Sequence, residues 1–132
     1  MKNKVLFAVS LLFGLMMINS GFNKFLNYMP MPEMPEAAGT LIYAFVQSGW
    51  MFPLIAIVEI IGGALFIIPK FQALGAIILL PVIIGIFLFN AVLAPEGVII
   101  AIVLLAVNIW IIAENKSKYL PLIAEKKNPS IN

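Results

Sequence analysis

Residues 52–69 read FPLIAIVEIIGGALFIIP, and this stretch decides the fold. It is apolar from Phe52 to Pro69 except for one carboxylate, Glu59. A run of this length reads as a membrane-crossing helix, because ~20 residues at ~1.5 Å rise cover the hydrocarbon of a bilayer. Gly62 and Gly63 follow three and four residues after Glu59, on the same helical face. One side of the helix thus carries a charge beside a patch without side chains, where another helix approaches closely. A carboxylate inside a span costs about 2.5–3.5 kcal/mol on insertion scales and calls for a partner.

The rest of the chain agrees with this reading. Of 132 residues, 63% are hydrophobic and 11% charged, too few charges to coat a soluble domain of that size. The class is an integral membrane protein, and a soluble bundle hidden in a larger complex is the disfavoured alternative. There is no Cys and no His, which excludes thiol–disulfide chemistry, His-ligated haem, and zinc or copper sites built on those residues. The net charge of +2 is no nucleic-acid signal; what matters is where the lysines lie.

Four spans are expected, at about 5–26, 52–69, 71–90 and 98–113. The first begins with a basic head and an apolar run. That head would also fit a signal peptide, but no small-x-small cleavage site follows and Lys24 leads into more apolar sequence. Residues 27–35, NYMPMPEMP, hold three prolines within six residues and cannot form a regular helix. Residues 36–48 read as an amphipathic helix. Glu36, Thr40, Tyr43 and Gln47 make a polar stripe opposite Ala38, Leu41, Ile42 and Phe45, which predicts an interfacial position. Pro53 suits the first turn of the second span, and Pro81 sits inside the third, where a kink is expected. The tail, 114–132, is polar and Lys-rich.

Four spans place both termini on one side. Lys2, Lys4, Lys70, Lys116, Lys118, Lys126 and Lys127 fall on that face, and only Lys24 falls on the other, with Glu33, Glu36 and Glu96. The positive-inside rule makes the termini cytoplasmic, in a cell's inner membrane. Asn19 and Ser20 then lie near the depth of Glu59 and Asn23 and Lys24 nearer the outer surface, with Asn90 at the end of the third span and Asn108 near mid-membrane. The expected site is a buried cluster of Glu59, Asn19, Asn23 and Lys24, with Asn90 at its rim. Each has a structural reading too: interhelical glue for the asparagines, boundary anchoring for Lys24. Gly14, Gly62, Gly63 and Gly85 read as helix-packing positions, Trp110 and Tyr119 as an aromatic belt. The methionines of MPMPEM are weak evidence for a soft metal without Cys or His.

With FGLMMINSGFNKF closing the first span and EIIGG in the second, the chain resembles the DoxX family of small four-span membrane proteins over about residues 5–113. The resemblance implies an all-α membrane four-helix bundle, with Lys24, Glu59, Gly62 and Gly63 at family positions. Relatives are linked to membrane oxidoreductase assemblies, including thiosulfate–quinone oxidation and oxidative-stress complexes. The expected role is a membrane partner or quinone-site subunit of a redox system, in contact with the lipid bilayer, an oxidoreductase partner subunit or a second copy. The alternatives are a small-molecule or proton-coupled transporter with Glu59 as its titrating group, and a purely structural scaffold.

Overall fold

The computed structural model describes residues 2–29 and 33–123. Pro30 to Pro32 of the proline-rich loop, and Lys126 and Lys127 of the tail, lie outside the described residues. The chain is helical, with no strand among the described residues: α1 (Lys2–Leu26), α2 (Glu36–Gln47), α3 (Met51–Ile67), α4 (Gln72–Leu93), α5 (Val98–Glu114) and α6 (Lys116–Ile123). Short 3-10 turns, Pro69–Phe71 and Pro95–Gly97, lead into α4 and α5. It is an all-α membrane bundle in which α1 packs on α3, α3 on α4 and α4 on α5.

Helices α1, α4 and α5, the last two with their 3-10 turns, are each long and apolar enough to cross a bilayer. The 17-residue α3 is shorter, and forms a span-length segment only together with α2, from which it bends by 90°. The bend falls at Ser48–Trp50. Gly49 has φ +79°, a left-handed conformation that glycine adopts without strain. The Ser48 hydroxyl then accepts from the Met51 amide at 2.9 Å, satisfying one of the open donors that begin α3. The predicted short helix therefore exists over 36–47 and turns across the end of the bundle. α4 runs through Pro81 without interruption and ends three residues beyond the expected 90. Part of the polar, Lys-rich tail is helical, as α6.

Close backbone approach fixes the packing. A Cβ on Gly63 would lie 2.7 Å from the Gly14 carbonyl oxygen, and one on Gly21 would lie 2.6 Å from that of Ala56. These two antiparallel contacts, seven residues apart on each helix, set the register of α1 against α3. The neighbouring Gly62 faces α4 instead, where a Cβ would meet Leu79 at 2.7 Å. The paired glycines thus serve two different helices. Because lipid chains are as apolar as Leu, contact of this kind, and not the hydrophobic effect, holds such helices together. Phe13, Met17, Phe66, Leu79, Ile83 and Ile111, drawn from all four long helices, form the core, with the Phe13 and Phe66 rings stacked at 4.6 Å. Ile99, Ile100 and Val103 of α5 are exposed, as a lipid-facing surface requires.

Candidate functional site

The α1–α3 register carries Ser20 and Lys24 onto Glu59. Gly21 brings α1 against α3 at Ala56, within one turn of the carboxylate on α3 and beside Ser20 on α1. Lys24 Nζ lies 2.6 Å from Glu59 Oε1. It also donates to Ser20 Oγ at 2.9 Å, and Ser20 Oγ donates to Glu59 Oε2 at 3.0 Å. The three side chains close a ring in which both carboxylate oxygens are engaged. Glu59 is 1% exposed, whereas the Lys24 side chain is 19% exposed. The ammonium also lies 5.6 Å from the centre of the Phe52 ring, a cation–π contact. Ser20 and Glu59 use two of its three N–H groups, and the third has no hydrogen-bond acceptor among the described residues.

This ring borders a cavity of about 910 Å³, near the upper end of the ~300–1,000 Å³ typical of ligand pockets. Leu41, Ile42 and Phe45 of α2 roof it, and Val82, Ile86 and Phe89 of α4 form a wall. Phe52 and Ile55 complete it on the α3 side. The apolar stripe that suggested an interfacial helix is thus the inner lining of a pocket, while Thr40, Tyr43 and Gln47 are exposed on the other face.

The asparagines behave differently from one another. Asn90 lines the cavity, with its amide donating to the Ile86 carbonyl at 2.8 Å. Asn19 and Asn23 do not join the ring. The Asn19 amide donates to Met29 Sδ at 3.4 Å, and its side-chain and backbone oxygens accept from the Tyr28 hydroxyl. Asn23 Oδ1 accepts from the Met29 amide at 2.9 Å. These two side chains fasten the start of the proline-rich loop. Their stripe on α1 is one residue, about 100°, from the Ser20–Lys24 stripe, and only the latter turns towards α3. Gly85 is not a packing position either, since a Cβ there would meet nothing within 4 Å among the described residues.

A second polar cluster, at the opposite end of the bundle, was not foreseen. The Gln72 amide donates to Ser10 Oγ at 2.7 Å and to the Phe66 carbonyl at 3.2 Å. Asn115 donates to Gln72 Oε1 at 3.2 Å. Nearby, the Tyr119 hydroxyl donates to the Ala73 carbonyl at 2.6 Å, which ties α6 to α4. Burial pushes the Tyr119 phenol pKa up. Asn108 is fully buried; its amide donates to the Ala76 carbonyl at 3.3 Å, while its Oδ1 has no hydrogen-bond partner among the described residues. The only sequence signals were a lone Ser in an apolar run and a Gln at a helix start. The apolar core of Phe13, Met17, Phe66 and Leu79 lies between the two clusters. No group of three or more acidic, His or Cys side chains suited to a metal occurs among the described residues.

The family model for DoxX matches residues 5–92, which covers α1 to α4 and every residue of the ring. No significant similarity was found to any curated protein or to any solved structure.

Proposed function

Because the chain belongs to the DoxX family, we propose that it is a membrane subunit that holds a quinone head group for a redox partner. One observation carries this reading: the Lys24 ammonium keeps an uncommitted N–H at the edge of an apolar cavity. A quinone head is planar, uncharged and bears carbonyl acceptors. The residues suit it, with a charged donor at one end, aromatic Phe52 and Phe89 among the walls and the Asn90 amide in the lining. When bound, such a group would carry electrons between a partner and the bilayer; this chain's residues would bind and orient it. Glu59 and Ser20 hold the ammonium in place, because a flexible lysine stem would otherwise reach for water.

Orientation follows from charge. Lys4, Lys70, Lys116 and Lys118 belong to the end with the termini, and Glu33, Glu36 and Glu96 to the end with Lys24. We read the termini as cytoplasmic and α1, α3, α4 and α5 as the four spans. A proton-coupled carrier has less support. Both Glu59 oxygens are engaged, and the stacked Phe13–Phe66 layer lies between the ring and the polar groups at the other end.

The test is quinone binding to the purified protein in nanodiscs. Wild type should retain a quinone, and the double variant Lys24→Met/Glu59→Gln should lose it while remaining folded, since replacing both partners strands no charge. Retention undiminished in the folded double variant would refute the reading.

A further inference from the structure

Along α4, four cavity-lining residues share one property. Pro81, Gly85, Leu88 and Val92 border the cavity and are all exposed. Their spacings of four, three and four place them on a single helical stripe. In a membrane protein an exposed apolar stripe faces lipid. An exposed stripe of α4 thus borders the cavity beneath α2, and Ser20, Lys24 and Glu59 belong to the same lining. At Gly85, in the middle of the stripe, the absent side chain leaves a gap that no neighbour fills.

We propose that the site takes a single-chain amphiphile directly from the bilayer, with its head at Lys24 and its chain lying along the α4 stripe past Gly85. This rests on the quinone reading for the head and adds the chain, the route of entry and a residue that controls it. The occupant follows from the two ends of the groove. The ring supplies a charged hydrogen-bond donor, which an acceptor-bearing head group satisfies and a plain acyl chain does not. The stripe is apolar throughout and open to hydrocarbon, so it fits a flexible chain and no polar extension. Chain transfer from lipid to groove gains little hydrophobic energy, because both surroundings are apolar. Selection must come from fit, and the width at Gly85 governs fit.

The experiment uses the full chain in nanodiscs and two probes with the same benzoquinone ring, one with a ten-carbon tail and one with none. Each probe is compared between wild type and Gly85→Leu, so that partitioning into the bilayer cancels. Gly85→Ala serves as a control for helix effects. The leucine should weaken the tailed probe by about tenfold or more, as overfilling a fitted site does, and leave the tail-less probe within about twofold. If Gly85→Leu changes neither probe while Lys24→Met/Glu59→Gln loses both, the chain groove is refuted and the head-group reading stands. If wild type binds neither probe, the quinone reading falls. Mass spectrometry of co-purified lipids then decides the groove: a chain-bearing lipid held by wild type and lost from Gly85→Leu supports it, and equal or absent retention overturns it. A change of oligomeric state in Gly85→Leu, read by light scattering, would make the stripe a contact between copies and would also overturn it.

Discussion

The Lys24–Glu59 pair should show a large and unequal double-mutant cycle. Lys24→Met leaves the Glu59 carboxylate, 1% exposed, with only the Ser20 hydroxyl for company. Stranding a buried charge in this way costs on the order of 3–5 kcal/mol. Glu59→Gln is milder. It keeps an amide oxygen within reach of the ammonium, and Lys24 at 19% side-chain exposure already has access to the cavity. The loss is then that of a charged hydrogen bond, about 1.5–3 kcal/mol. The double variant removes both charges and should recover at least ~2 kcal/mol of the summed losses, within the coupling found for contacting residues. Equilibrium unfolding in mixed detergent micelles, followed by Trp50 and Trp110 fluorescence, measures all four corners. Single losses that add to within ~0.5 kcal/mol would refute the ring as an energetic unit. A larger loss for Glu59→Gln than for Lys24→Met would refute the argument from unequal burial.

Three further outcomes are expected. Gly63→Leu should disrupt the bundle, because its Cβ alone meets the Gly14 backbone oxygen at 2.7 Å, whereas Gly85→Ala should be neutral or stabilising by up to about 1 kcal/mol; unfolding midpoints distinguish the two. Tyr119 has a folded-state pKa raised by burial, so its contribution is fully present below the unfolded value of ~10 and is lost as pH rises beyond it; Tyr119→Phe should flatten that alkaline decline in a melting-temperature series. Single cysteines at Glu36 and Glu96 should react with an impermeant thiol reagent on intact cells while those at Lys70 and Ser117 are spared, and the reverse pattern would invert the orientation.

Much of this molecule is legible in its sequence because a bilayer leaves few choices. Apolar runs give the long helices, prolines give their limits, and an intramembrane carboxylate needs a cation, of which Lys24 was the one available on that side. The ring itself was only half legible. The Asn19–Asn23 and Ser20–Lys24 pairs have the same spacing on adjacent stripes, and sequence spacing does not say which stripe faces a neighbour. The close approaches at Gly14 and Gly21 decide that, and they become visible only when α3 is placed. The Ser10–Gln72–Asn115 cluster joins residues 62 and 43 positions apart in the chain, each ordinary by itself. The cavity was hidden for a related reason: the apolar side of α2 reads the same whether it meets lipid or roofs a pocket.

The shortness of α3 has a consequence for the lipid around it. Seventeen residues cover about 25 Å, against a hydrocarbon thickness of about 30 Å. The longer α1 and α4 impose no such limit, and α5, also 17 residues, reaches span length with the 3-10 turn before it, so the mismatch is confined to α3. A short span is accommodated by thinning the bilayer beside it, at a modest cost for each ångström. The perpendicular α2 lies at the end of α3 where this thinning is needed. With α3 crossing the bilayer as proposed, headgroups and water drawn down beside it would lower the cost of keeping the Lys24–Glu59 pair at its depth. Membrane thickness would then act on this pair, and lipids with longer or shorter chains should shift its stability without touching a single residue.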